Sequence, residues 1–162
     1  MESIEEPSVT IGKAFHLLME FSMDLANVDS FRAKKLISEF ALSSSDEVLI
    51  LDSIIKIRNS KACIKLLNSG SAFVLIESEW QKRSGRILRP DRVDFNLDEK
   101  TANIIDFKWR FNEERKISYI SQLRQYTKVM EFHYPEIAVK SFLVSGEAQI
   151  SYVQGDQLVQ LS

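Results

Sequence analysis

Asp91 in "RPDRVDF" and Asp106 and Lys108 in "NIIDFKW" are the side chains of this sequence best placed to share one piece of chemistry. The second stretch is apolar enough for a buried strand, yet it carries a carboxylate and an ammonium. Burying charge is costly unless something compensates. Alternate strand residues share a face, so Ile104, Asp106 and Lys108 point one way and Ile105, Phe107 and Trp109 the other. In the preceding strand Asp91 shares a face with Val93 and Phe95. If the two strands pair as a hairpin, Asp91 can approach Asp106, and close carboxylates repel unless a cation sits between them. A hard divalent cation favours a few carboxylate oxygens, waters and phosphate. Lys108 could then orient a water or stabilise charge developing on phosphate. Taken alone, "DFK" reads more simply as a structural ion pair on an exposed sheet face.

The elements that must position these groups follow from periodicity. Residues 1–8 read as a flexible lead-in and 9–162 as one domain, with 9–70 mainly helical and 71–162 an αβ core. "SVTIGKAFHLLMEFSMDLANV" has helical spacing, with Ile11, Phe15, Leu18 and Phe21 or Met23 as its apolar stripe and Ser8 or Thr10 as cap. A second helix covers "SFRAKKLISEFALSS", capped by Ser30. A third helical region follows to residue 67, broken near Asn59, and "NSGS" at 68–71 punctuates the chain. "AFVLIESEWQKR", "GRILRPDRVDFNL" and "TANIIDFKWRF" read as three strands. A long helix follows, with Ile117, Ile120, Leu123, Tyr126 or Thr127, and Met130 on one side, stopped by Pro135. "EIAVKSFLVSG" is a strand and "AQISYVQGDQLVQL" a final strand or hairpin. The order predicts an α+β fold on a single sheet.

Composition sets limits. The 162 residues are 44% hydrophobic and 27% charged, which suits one globular domain with a real core. The single cysteine, Cys63, rules out an internal disulfide and a cysteine-ligated zinc or iron–sulfur site, and reads as a small buried apolar residue. A net charge of −2 argues against a general nucleic-acid binder. The distribution is uneven, however. Residues 1–55 carry 10 acidic and 4 basic side chains, and residues 56–162 carry 13 acidic and 17 basic. The densest basic run, "KRSGRILRPDR", holds Lys82, Arg83, Arg86, Arg89 and Arg92. It is either a solvated strand edge or a rim facing phosphates. No apolar run reaches membrane-spanning length and the acidic start is no signal peptide, so the expected location is cytoplasmic.

Pro90–Asp91, fourteen residues, then Asp106–Phe107–Lys108 resembles the PD-(D/E)XK nuclease superfamily. More closely, "GRILRPDRVDF", "NIIDFKW" and "YISQLRQY", with "GKAFH" upstream, resemble the RecB/AddA-type nuclease domain at the C-terminus of helicase–nucleases. The resemblance spans roughly residues 11–153. It implies a restriction-endonuclease-like αβββαβ core with a mixed central sheet and an N-terminal helical region. It also implies Mg²⁺- or Mn²⁺-dependent cleavage of DNA, as an exonuclease in recombination or repair, with a helicase module in cis or in trans.

By that resemblance Asp91 and Asp106 are carboxylate ligands, His16 of "GKAFH" a histidine ligand and the Phe107 carbonyl a further one. Lys108 is the catalytic lysine. Gln122 and Tyr126, four apart on one helical face, border the site and contact DNA, while Arg86, Arg89 and Arg92 are the phosphate contacts that the basic run offers. Glu79 matches an acidic position before the PD element, and Glu77, of the same parity, could fill that role instead. Glu20, one turn beyond His16, is a weaker candidate. Asp94, of opposite parity to Asp91, reads as structural, and His133 as a surface residue. The related AddB-type iron–sulfur cluster is impossible here, and the sequence has no G-x-x-x-x-G-K-[ST] phosphate loop for a motor. Either an excised nuclease domain or a small stand-alone relative fits. A rival reading is a catalytically silent DNA-binding module on the same fold. A chance motif would leave His16 beyond roughly 8 Å from both carboxylates, far outside the about 2.0–2.6 Å of hard-cation ligation.

Overall fold

The computed structural model of the chain describes residues 7–21, 30–67 and 73–161. Four helices come first: α1 (Pro7–Phe21), α2 (Ser30–Ile37), α3 (Ser44–Asn59) and α4 (Lys61–Leu67). Their apolar faces converge on a core that includes Phe15, Leu18, Ile50, Ile57 and Leu67. Ser43 caps α3 by accepting from the Asp46 N–H at 3.2 Å. The expected break falls at Ser60, whose extended backbone ends α3 and whose hydroxyl accepts from Cys63 N–H at 3.3 Å to start α4. Cys63 is fully buried. Helix α1 starts at Pro7, inside the predicted lead-in, because proline's missing N–H costs nothing in a first turn. Ser8 and Thr10 therefore lie within the helix, and Ser30 opens the described span of α2. Met23 and the "NSGS" punctuation lie outside the described residues.

The strands are β1 (Phe73–Ile76), β2 (Trp80–Gln81), β3 (Ile87–Leu88), β4 (Arg92–Asn96), β5 (Thr101–Lys108), β6 (Ala138–Ser145), β7 (Ile150–Gln154) and β8 (Gln157–Leu161). The first two predicted strands each split in two. Glu77 adopts a left-handed φ of 51°, which ends β1. Pro90, which cannot donate to a ladder, separates β3 from β4. The main sheet runs β1-β4-β5-β6-β7-β8, while β2 and β3 form a small hairpin of their own. Among the described strands only β5 and β6 pair in parallel, which demands a crossover. Helix α5 (Lys116–His133) supplies it.

Strand β5 is the hinge between two cores, and its alternation is as the sequence predicts. Ile105 and Phe107 pack with α1–α4. Ile104 packs with Val93, Phe95, Leu123, Tyr126 and Met130 beneath α5. Ile117 is the exception on α5. It is 84% exposed, because it lies in the first turn before the helix settles on the sheet, and Tyr119 and Val129 are buried instead. The end of β5 is held by Gly146, whose N–H donates to Lys108 O at 2.9 Å. A Cβ at Gly146 would stand 2.6 Å from Trp109 O, so only glycine permits this approach.

Candidate active site

The register of β4 on β5 builds the centre of the site. Arg92 pairs with Ile105, so Asp91 lies one step beyond, opposite Asp106. Asp91 Oδ2 accepts the Phe107 N–H at 2.6 Å. Both carboxylates are buried, Asp91 to 7% exposure and Asp106 to 2%. His16 reaches over from α1, its Nδ1 3.5 Å from Asp91 Oδ2. That distance is well inside the limit that a chance motif would exceed.

Asp106 has three neighbours of different kinds. Lys108 Nζ stands 2.7 Å from its Oδ2. Gln122 Nε2 is 3.4 Å from its Oδ1 and the Tyr126 hydroxyl 3.5 Å from it. Gln122 also donates to Tyr126 Oη at 2.9 Å, so the helical pair acts as one unit. The Lys108 contact is ionic but poorly angled, and buried Oδ2 accepts no hydrogen bond of ordinary geometry.

These placements shift proton affinities. Burial, with the nearby Asp91 charge, raises the Asp106 pKa to about 6 against the pull of Lys108. Burial works against a charged His16, but hydrogen bonding to Asp91 and the two carboxylate charges outweigh it and raise the pKa. Burial and the neighbouring Asp106 charge push the Tyr126 hydroxyl up, so it stays a neutral donor.

Of the two acidic residues before the PD element, the structure brings Glu77 rather than Glu79 next to Asp91. Glu77 N–H donates to Asp91 O at 3.0 Å. Its carboxyl hydrogen-bonds that of Glu20, whose pKa rises to about 7 through burial and through Glu77 and Asp91. Glu79, exposed like Glu77, pairs with Arg89 instead. The left-handed turn at Glu77 is the reason, since strand parity does not carry across it to residue 79. Strained non-glycine backbone of this kind costs about 1–3 kcal/mol and clusters at functional sites.

Arg92 is not on a phosphate-facing rim. It is 2% exposed and forks onto Asp94, with Nε 2.6 Å from Oδ1 and Nη2 2.9 Å from Oδ2. It also donates to Leu67 O at 2.7 Å, closing the end of α4. The alternation that separates Asp94 from Asp91 separates Arg92 as well, and that signal is in the sequence. Arg86 and Arg89 do line a groove of about 590 Å³ that opens onto Lys108, Gln122 and Tyr126. Arg115 joins them there. Its spacing from Tyr119, Gln122 and Tyr126, at i+4, i+7 and i+11, marks one helical face. His133 lies at the exposed end of α5.

The donor types suit a hard divalent cation: a buried Asp106 oxygen with no well-formed hydrogen bond, a second carboxylate and an imidazole beside it. Among the described residues no three His, Cys, Asp or Glu side chains already stand in metal-binding geometry. His16 and Lys108 hold the carboxylates in their present pairs. Metal binding would have to replace those pairs.

No protein-family model matches the chain, and no curated protein matches it. Among solved structures, a "putative exonuclease" from Eubacterium rectale superposes with a TM-score of 0.55 at 12% identity, over 100% of this chain and 61% of the other. This chain thus spans about three fifths of that protein. The likeness establishes the fold. It is α+β and restriction-endonuclease-like, with an αβββαβ core running α1, β1, β4, β5, α5, β6. A second structure, SSO0001, superposes at a TM-score of only 0.30, with 17% identity. No helix of the described residues is long and apolar enough to cross a membrane.

Proposed function

We propose that residues 9–162 form a metal-dependent nuclease domain that hydrolyses phosphodiester bonds in DNA. The observation that carries this is the convergence of His16, Asp91, Asp106 and Lys108, the last of which lines a groove shared with Arg86, Arg89 and Arg115. His16, Asp91, Asp106 and the Phe107 carbonyl would hold Mg²⁺ or Mn²⁺, with Glu77 and Glu20 adjoining. A cation there lowers the pKa of a bound water and offsets charge on the scissile phosphate. Released from Asp106, the Lys108 ammonium is free to meet the phosphate or orient the water. Gln122 and Tyr126 hold the Asp106 carboxylate in place, and Arg86, Arg89 and Arg115 attract the backbone. An exonuclease working beside a helicase in the cytoplasm is the finer reading. It draws on the resemblance of "GKAFH", "PD", "DFK" and "QLRQY" to the RecB/AddA type.

One observation favours a second reading, a catalytically silent DNA-binding module. Both carboxylates are already engaged, and no donor triad stands ready among the described residues. A single assay separates the two. Wild type and Lys108→Ala are incubated with linear and circular DNA, single- and double-stranded, with Mg²⁺, Mn²⁺ or EDTA. Metal-dependent loss of linear DNA that vanishes in the variant supports an exonuclease, and cut circles support an endonuclease. Binding without cleavage in every condition supports the silent module.

A further inference from the structure

Beyond the groove, the β2–β3 hairpin is clipped along α5 by groups the site does not use. Lys82 Nζ donates to Gln125 Oε1 at 3.2 Å, and Gln125 also lines the groove. Farther on, His133 Nε2 lies 2.9 Å from Gln81 O, and the His133 ring meets buried Trp80 at 5.7 Å. Between these clips the Arg83 guanidinium sits 5.6 Å from the centre of the Phe132 ring. Phe132 is 54% exposed. An exposed aromatic beside Arg83, on a hairpin that also carries Lys82 and Arg86, has the makings of a base-stacking platform, since every unpaired base offers a π-face and phosphates pair with arginine.

We infer that Phe132 and Arg83 form a stacking subsite for an unpaired nucleic-acid strand whose other part lies in the groove. This rests on the nuclease reading and extends it to the substrate's length and strandedness. Ten residues of α5 separate Gln122 from Phe132, about 15 Å, or four to five nucleotides of stacked strand at about 3.4 Å each. Paired bases present no free face to Phe132, so a duplex gains nothing there. Charge complementarity along Arg89, Arg86, Lys82 and Arg83 favours a polynucleotide over an apolar peptide as the occupant.

The test is fluorescence anisotropy in EDTA with labelled oligo(dT) of about three and about ten nucleotides, either side of the span. Wild type binds the longer strand more tightly than the shorter. Phe132→Ala weakens the longer strand by about 5- to 100-fold and leaves the shorter unchanged, and Phe132→Trp restores it. Arg83→Ala flattens the salt dependence for the longer strand by about one phosphate contact. Thermal melts confirm that each variant is folded. Equal binding of the longer strand by wild type and Phe132→Ala overturns the subsite, as does equal affinity of wild type for both lengths. Metal-dependent cleavage by wild type alongside either result leaves the nuclease reading standing. Phe132-dependent binding without cleavage supports the subsite and tells against the nuclease.

Discussion

Lys108 Nζ lies 2.7 Å from Asp106 Oδ2, yet this buried oxygen accepts no well-formed hydrogen bond. The ammonium is the nearest cation to a buried carboxylate that faces Asp91 and otherwise has only the neutral Gln122 and Tyr126 of α5 near its other oxygen. It is also the group the proposed chemistry would draw away toward phosphate. The same residue therefore carries stability in one state and catalysis in another.

Replacing Lys108 should expose both roles. Lys108→Ala is expected to lower the nuclease rate by about 10²- to 10³-fold, the usual loss for one charge-stabilising group. It should also destabilise the protein, and more so as pH rises. Removing the cation raises the Asp106 pKa above its present value of about 6. A carboxyl with a raised folded pKa favours folding below its unfolded pKa, and that contribution is lost as pH rises through the folded one. Thermal melts across about pH 4–8 check this. A variant deficit independent of pH would contradict the coupling.

Metal binding should be coupled to proton release. Asp106, with a pKa of about 6, and His16, with a raised pKa, must both be deprotonated to act as ligands. Apparent Mn²⁺ affinity is expected to climb through the range from about pH 5 to 8 and then level off. Calorimetry in buffers of different ionisation enthalpy measures the released protons directly. The same titration with Asp106→Asn should show fewer protons and weaker binding. Zero release near pH 6 would separate these groups from the metal.

Glu20 and Glu77 predict an unusual stabilising substitution. Glu20 has a folded pKa of about 7, raised by burial and by its carboxyl neighbour. Its native preference for the proton is satisfied in acid and frustrated above neutrality, so wild-type stability falls between about pH 4.5 and 7. Glu20→Gln keeps the hydrogen-bonding shape without the charge. Discounting for solvent screening, the gain near pH 8 is on the order of 1 kcal/mol, or about 2–4 °C in a protein of this size. It should vanish near pH 4. A variant less stable than wild type at pH 8 would mean that Glu20 is ionised there and paired.

What the sequence made legible was local. The alternation of "NIIDFKW" separates Ile105 and Phe107 from Ile104, and the structure puts a core under each face. The helix break expected near Asn59 falls one residue on, at Ser60. Asp91 meets Asp106 because a short polar turn forces the hairpin. The misses are places where a distant partner or a backbone turn decides. Glu77 could not be told from Glu79 without the left-handed φ that ends β1. Arg92 finds Leu67 O twenty-five residues back, a contact no spacing rule gives. The docking of the β2–β3 hairpin on α5 is likewise tertiary, so nothing in "KRSG" or "EFHY" announced that Arg83 and Phe132 would meet.

Arg92 and Arg86, neighbours in one basic run, should behave oppositely. Arg92→Ala leaves Asp94 buried without its partner and strips Leu67 O of its donor. Burial already raises the Asp94 pKa against the pull of Arg92, so the carboxylate has no other compensation. A loss of about 3–5 kcal/mol is expected in chemical denaturation. The double variant Arg92→Leu/Asp94→Leu should recover much of it, because a matched apolar pair removes the stranded charge. Arg86→Ala touches only the groove, so its stability should stay within about 0.5 kcal/mol of wild type. Its DNA affinity should fall, with a salt slope shallower by about one contact. If Arg92→Ala instead folded normally and bound DNA weakly, the assignment of Arg92 to the interior would fail.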